Sequence, residues 1–323
     1  MNSQFLICIF LTIISLLLTY KLVPRVILFC SKYNLKEVPD ERKEHILPMP
    51  RLGGFALIFG SFLTIMLLIL INLRYQFIEL NNIQLFNLML CSFFIYILGT
   101  FDDLYNLRAY PRLIGQFIVA SLGYSMGFRI ECIDLSLFGQ VEYIFCLPSV
   151  LSLIITTFWI VGIINSINWI DGIDGLAGLL IAISAISFGL ISLNSDQFIA
   201  TIFAFTTFGS TLAFLRYNYS PAKIFMGDGG SYFLGFNIAI ISMISQSSDP
   251  IIFNPFRVLF LVGIPLIDMV HVIFKRVIRG KSPFLPDRNH YHHRLLKLGF
   301  SHKKIFLTSL LISSFLVLIG SII

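Results

Sequence analysis

An all-α polytopic membrane protein is the fold this sequence predicts, on three observations. Hydrophobic residues make up 57% of the 323-residue chain and charged residues only 12%, where a soluble domain carries roughly 25%. The apolar residues gather into successive runs of about the 20 residues that a spanning helix needs. The short alternating strands of a membrane β-barrel are not visible.

Taken in order, the runs give about ten spans, with eleven as the alternative count: residues 5–27, 52–72, 83–99, 112–128, 148–166, 175–193, 198–216, 231–246, 257–278 and 304–322. The first run, from Phe5 to about Phe29, has neither a basic leader nor an A-x-A cleavage site. It is therefore expected to be a retained helix, not a signal peptide. Lys21 and Arg25, late in that span, snorkel or mark its end. No Pro- or Ser-rich linker, low-complexity tract or internal repeat is visible, so residues 1–323 are read as one integral membrane domain. Ten spans put both termini on the same side.

Basic residues set the orientation. Of the 23 Lys and Arg, all but Arg74, Arg129 and Arg257 lie in or beside the loops near 28–51, 100–111, 167–174, 217–230 and 279–303. Those loops are expected to be cytoplasmic, and the site with them. The net charge of +6 is then positive-inside bias with attraction for anionic headgroups and phosphates, not a nucleic-acid footprint. Acids and histidines gather on the same face, although orientation does not require them: Asp102, Asp103, Asp171, Asp174, Asp228, Asp287, His45, His290, His292 and His293. Carboxylates among basic loops are the composition expected around a metal-bound polyphosphate.

Each loop has a chemical and a bland reading. Adjacent Asp102 and Asp103 can bind Mg²⁺, which prefers oxygen ligands, or accept a proton; they can equally be solvated acids at a helix end. In NWIDGIDG, helical spacing puts Asn168, Asp171 and Asp174 within about a 120° arc. They can hold a nucleotide or metal, or simply cap a turn. Gly227, Gly229 and Gly230 flank Asp228 ahead of a helix, which is either a phosphate cradle or a capped glycine turn. His290, His292 and His293, with Arg288 and Arg294, suit phosphate oxygens better than zinc, since no cysteine is near; the alternative is a basic stripe on lipid headgroups, to which His302 is assigned. Asp268, inside the ninth span, is a functional candidate by position, or a buried partner of His271 or Lys275 on its own helix face. Cys132 and Cys146 flank a hairpin-like outer segment, where a disulfide can form but nothing in the sequence supports one, and the other cysteines read as apolar filler.

Five motifs in order then carry a resemblance: PDERKEHILPMPRLGG, FDDLYNLRAYPRLIGQ, NWIDGIDGLAG, FMGDGGSYFLGF and SPFLPDRNHYHHRL. Over residues 38 to 300 or so, the chain resembles the polyprenyl-phosphate N-acetylhexosamine-1-phosphate transferases, glycosyltransferases of family 4 that initiate O-antigen and teichoic-acid synthesis. The resemblance implies Asp228 as principal Mg²⁺ ligand, with Mn²⁺ as the alternative ion. It implies Asp102 and Asp103 for metal binding and for deprotonating the lipid phosphate. Asn168, Asp171 and Asp174 match the nucleotide motif, with Asn218 and Phe225 lining uridine and Arg112 near the phosphates. His290, His292 and His293 match a sugar-phosphate motif flanked by Arg288 and Arg294, and Lys43 and His45 fall in a first-loop motif. The peptidoglycan relative has three consecutive histidines and a TPTMGG-like loop; H-Y-H-H-R-L and MPRLGG here argue against its muramoyl-pentapeptide substrate.

The implied reaction moves N-acetylhexosamine-1-phosphate from a UDP-sugar to undecaprenyl phosphate at the bacterial inner membrane, releasing UMP. GlcNAc is the expected sugar, with GalNAc or a 6-deoxy-HexNAc open, and an oligomer is compatible. A polytopic transporter is the rival class. Against it, no inverted repeat is visible and the polar groups sit at one surface instead of the midplane.

Overall fold

The computed structural model describes residues 2–37, 48–76, 78–136, 143–247, 252–282 and 289–322. Its helices, in chain order, are α1 (Asn2–Lys32), α2 (Gly53–Tyr75), α3 (Asn82–Tyr105), α4 (Ala109–Ser125), α5 (Ser149–Ile170), α6 (Leu176–Asn194), α7 (Phe198–Asn218), α8 (Gly227–Ile244), α9 (Pro255–Leu261), α10 (Gly263–Ile278), α11 (Tyr291–Lys297) and α12 (His302–Gly320). Seven are long and apolar enough to cross a membrane, or eight when α9 and α10 count as one span. That is an all-α polytopic membrane protein, with fewer qualifying helices than the ten expected. Lys21 and Arg25 do not end the first helix, which continues to Lys32 and leaves both exposed.

The centre of the bundle is α8. Every residue from Gly229 to Ile244 is buried, against α3 and α5 above all, with α2, α6 and α7 around it. Enclosed on all sides, it needs no polar face, and its own polar groups find partners: Ser92 donates to Asn237 Oδ1 at 2.8 Å and Trp159 Nε1 to Ser242 Oγ at 3.1 Å. Its N-terminus enters between α2 and α3 because glycines stand where the backbones meet. A Cβ on Gly54 would overlap Gly230, and one on Gly99 would overlap Asp228.

The ninth run is not one straight span. Between α9 and α10 the chain turns through 100°. Pro265 has no amide to bond the carbonyl of Leu261, one helical turn back, and Ser184 Oγ donates to that carbonyl at 2.7 Å instead. Beyond the turn α10 is two-faced: Ile267, Val270, Phe274 and Val277 are exposed, while Asp268, Val272 and Arg276 are buried.

Two small sheets cap the bundle. β1 (Lys36–Glu37) pairs antiparallel with β2 (Met49–Pro50) beside the N-terminus of α2. At the opposite end β3 (Cys132–Asp134) lies between antiparallel β4 (Ile144–Cys146) and parallel β5 (Ile252–Phe253). Strands this short leave no alternating pattern in the sequence. Cys132 and Cys146 are directly opposed in the ladder and form a disulfide. Cys8, Cys30 and Cys91 are buried thiols.

Candidate active site

The site is built where the first turn of α8 meets the last turn of α3. Asp103 accepts the backbone N–H groups of Asp228 and Gly229 at 2.8 and 2.9 Å, and Arg51 Nε at 2.8 Å. Its carboxylate thus caps the positive end of α8. Of the two readings of this glycine turn the capped one holds: the Asp228 and Gly229 amides already bind Asp103, and Gly229 and Gly230 stand at close backbone contacts. Asp102 accepts Leu107 N–H at 2.9 Å through one oxygen; through the other it accepts Arg112 Nη1 at 3.3 Å and the Tyr232 hydroxyl at 2.8 Å. Asp228 accepts Asn168 Nδ2 at 2.7 Å and Arg51 Nη2 at 3.1 Å, and the same Asn168 amide reaches Ser231 Oγ at 3.0 Å.

Asp103, Arg51 and Asp228 therefore form one bonded network, and Asp102 with Arg112 forms a second beside it that acts on Asp228 through its charge. The Asp102 and Asp103 side chains are 4% and 2% exposed and Asp228 20%, so Asp228 is the acid an incoming ligand reaches. Burial raises its carboxyl above the ordinary range; Arg51 opposes that and the Asp102 charge adds to it. Among the described residues no three His, Cys, Asp or Glu converge into a closed metal cage. The accessible donor is the Asp228 carboxylate, a hard oxygen ligand whose present partners are Asn168 Nδ2 and Arg51 Nη2. That fits Mg²⁺ or Mn²⁺, ions bound through one or two carboxylates and completed by water and substrate phosphate.

The second half of the site is the histidine helix α11, docked on its own small core. Tyr291, Leu295, Leu296 and Phe300 pack on Ile170, Ile173, Leu176, Leu180 and Ile305. This brings His290 against Trp169, with ring centroids 5.6 Å apart, next in sequence to Asn168. His290 and His292 stack nearly parallel, and His293 lies 4.2 Å from His292. Asp268 accepts His290 Nδ1 at 2.9 Å, Tyr291 N–H at 2.7 Å and Arg294 Nη2 at 3.2 Å. Its partners lie on α11, across the chain, not in the same-helix contact with His271 or Lys275 offered by the sequence; His271 bonds Arg294 instead, at 3.1 Å.

His292 sits over Gly172, where a Cβ would overlap its Nε2. Gly172→Ala is therefore expected to push α11 outward and cut activity about 10²-fold, the scale of a 1 Å misplacement, at unchanged expression; unaltered turnover would contradict this packing. Burial, with His293, His290 and His302 beside it, pulls His292 down to about 3. An undocked imidazole titrates near 6.5, so over this interval the undocked form binds the extra proton. Docking of α11 is then full above pH 6.5 and weakens as pH falls toward 3. In a Trp159→Phe background, Trp169 emission should shift over that window, and a flat response would refute it.

Other candidates lie elsewhere or serve the scaffold. Residues 168–174 do not share a helical arc, because α5 stops at Ile170 and 171–175 form the turn into α6. Asp171 closes α5, while Asp174 accepts Ala222 N–H at 3.0 Å. Asn218 accepts Gly175 N–H at 3.1 Å and donates to Ile224 O at 2.9 Å. Phe225 bonds through its backbone to Pro50 and Gly53. Asn218 and Asp174 thus brace the segment leading to Asp228. Lys43, His45, Asp287 and Arg288 lie outside the described residues. Arg51 and Tyr232 were not singled out from the sequence, although MPRLGG and the run after GDGG contain them.

Fold and site together define a polytopic membrane protein with a carboxylate–arginine–histidine centre at one end, the equipment of a phosphate-handling enzyme. Residues 85–246 match the glycosyl transferase family 4 model. A probable undecaprenyl-phosphate N-acetylglucosaminyl 1-phosphate transferase of Bacillus subtilis is 30% identical over 291 residues, 90% of this chain and 78% of its own. An undecaprenyl-phosphate alpha-N-acetylglucosaminyl 1-phosphate transferase of Haemophilus influenzae is 34% identical over 294 residues, 89% and 79% of the two chains. A decaprenyl-phosphate N-acetylglucosaminephosphotransferase of Mycobacterium leprae is 30% identical over 313 residues, 90% and 77%. The chain belongs to glycosyl transferase family 4.

Proposed function

We propose that this protein transfers N-acetylglucosamine-1-phosphate from UDP-GlcNAc to undecaprenyl phosphate, releasing UMP and starting a lipid-linked cell-envelope polysaccharide of the O-antigen or teichoic-acid kind. The observation that carries the reading is the junction, at one end of a bundle of membrane-length helices, of the Asp228–Arg51–Asp103 network with the histidine helix. A water-soluble nucleotide sugar and a phosphate on a membrane-bound chain can meet only at such a surface. The relatives' names supply acceptor and sugar.

The acceptor phosphate oxygen attacks the sugar-bearing β-phosphorus; the bond to the UMP oxygen breaks and UMP leaves with the electron pair. Arg51, Arg112 and the histidines hold the phosphates in line, so catalysis is positioning and electrostatics. Mg²⁺ or Mn²⁺ held at Asp228 would supply further charge compensation on the pyrophosphate. Asp102 and Asp103 act by fixing Arg112, Arg51 and the α8 N-terminus. Both are sealed from an incoming ligand, and both oxygens of each accept hydrogen bonds from the protein, which favours direct displacement over capture of the sugar-phosphate on either of them.

The disulfide supports the orientation. Such bonds persist in oxidising compartments, so the β3–β5 end would face outward in a bacterial inner membrane and the site would face the cytoplasm. α4, between α3 and α5, and enclosed α8 would complete ten spans.

Purified protein in liposomes with undecaprenyl phosphate, Mg²⁺ and UDP-[¹⁴C]GlcNAc should place label in a butanol-soluble lipid, and UMP should reverse it. Absence of lipid label, or label independent of the acceptor, would sink the proposal. A panel of UDP-sugars tests GalNAc and 6-deoxy-HexNAc.

A further inference from the structure

Asp268 is a charged group buried among apolar helices, and none of the chemistry assigned so far uses it. Its position in α10 was legible as unusual, but its partners were not. Both oxygens are directed at the start of α11: one accepts His290 Nδ1, the other Tyr291 N–H and Arg294 Nη2. A carboxylate has no proton to give, so the hydrogen in the His290 contact belongs to Nδ1. That leaves Nε2 as the atom His290 can present to a ligand. The ring is held on two further sides, edge-on by Trp169 and face-on by His292. Trp169 is itself covered by the Arg276 guanidinium at 5.1 Å, two turns along α10 from Asp268. One face of α10 therefore sets both the tautomer of His290 and the aromatic wall against which it stands.

We infer that Asp268 is a positioning residue for phosphoryl transfer, holding His290 in the Nδ1–H form so that Nε2 faces the reacting phosphates. The inference rests on the transferase reading above. A carboxylate behind a working imidazole fixes its tautomer and orientation and supports positive charge on it when a proton or an anionic oxygen arrives at Nε2. Mere capping of α11 would need only an acceptor for the Tyr291 amide.

Asp268→Asn separates the two roles. The Asn Oδ1 still accepts from Tyr291 N–H and Arg294, while its NH₂ faces His290 Nδ1, makes that nitrogen an acceptor and moves the proton to Nε2. Liposome assays with UDP-GlcNAc and undecaprenyl phosphate should show kcat reduced on the order of 10²-fold or more, with KM for UDP-GlcNAc within about threefold and thermal unfolding close to wild type. In the His290→Gln background, read by single turnover, Asp268→Asn should add little further loss, since residues acting as one unit are not additive. Wild-type kcat in Asp268→Asn, a rise in KM alone, or an equal fold-loss in both backgrounds would overturn the positioning role. Absence of lipid-linked product from the wild-type protein would overturn the transferase reading and this inference with it.

Discussion

Asp228→Asn is expected to remove turnover, by about 10³-fold or more, in a protein that still inserts and unfolds at nearly the wild-type temperature. The side chain is isosteric, and Arg51 keeps its contact with Asp103, so packing around α8 survives. What disappears is the charge of the one carboxylate in the cluster that a ligand reaches. A Lewis-acid cation held there contributes several kcal/mol of charge stabilisation, and an amide oxygen is a poor replacement. Raising Mg²⁺ should restore little. Near-normal turnover at ordinary Mg²⁺ would end the assignment of Asp228 to the metal.

Arg51→Ala is expected to cost both activity and stability. Its guanidinium bridges Asp103 at 2.8 Å and Asp228 at 3.1 Å, the second being 177 residues away in sequence. Without it two neighbouring carboxylates share a buried site with no cation between them. Removing one partner from a buried ion pair costs about 3–5 kcal/mol; Arg51 is itself partly exposed, so about 2–3 kcal/mol is expected here. Lys should recover part of the stability and less of the activity, because a point charge cannot make the two-pronged contact. Thermal unfolding of Arg51→Ala at the wild-type temperature would show that the bridge does not hold α2, α3 and α8 together.

The runs of apolar residues named the helices correctly where each helix is a simple slab of hydrocarbon: α1, α2, α3, α5, α6, α7 and α12 all match expected spans to within several residues. α10 was different. Its composition passes for membrane, but Pro265 breaks the ladder and Ser184, 77 residues away in sequence, satisfies the carbonyl set free. No window of local hydropathy contains that partner. The candidate acids followed the same division. Asp102, Asp103, Asn168 and Asp228 stood out because carboxylates and amides are rare beside apolar runs, and the structure brings all four together. The helical arc assumed for Asn168, Asp171 and Asp174 was an extrapolation of α5 past its end. Gly172 and Gly175 lie in that stretch, and the chain turns there instead.

Composition and charge by themselves determined that this chain lives in a membrane, which loops are basic and which acids are candidates for a site. Those conclusions rest on the solvation of single residues, a property each carries wherever it lies in the chain. Tertiary structure alone decided what the acids do. Asp103 caps α8, Asp102 fixes Arg112, Asp268 holds the histidine helix, and of these four described acids Asp228 is the one that offers its carboxylate outward. Charge–charge and hydrogen-bond energies depend on separations of a few ångströms, and folding brings to those separations groups that the sequence keeps tens to hundreds of residues apart.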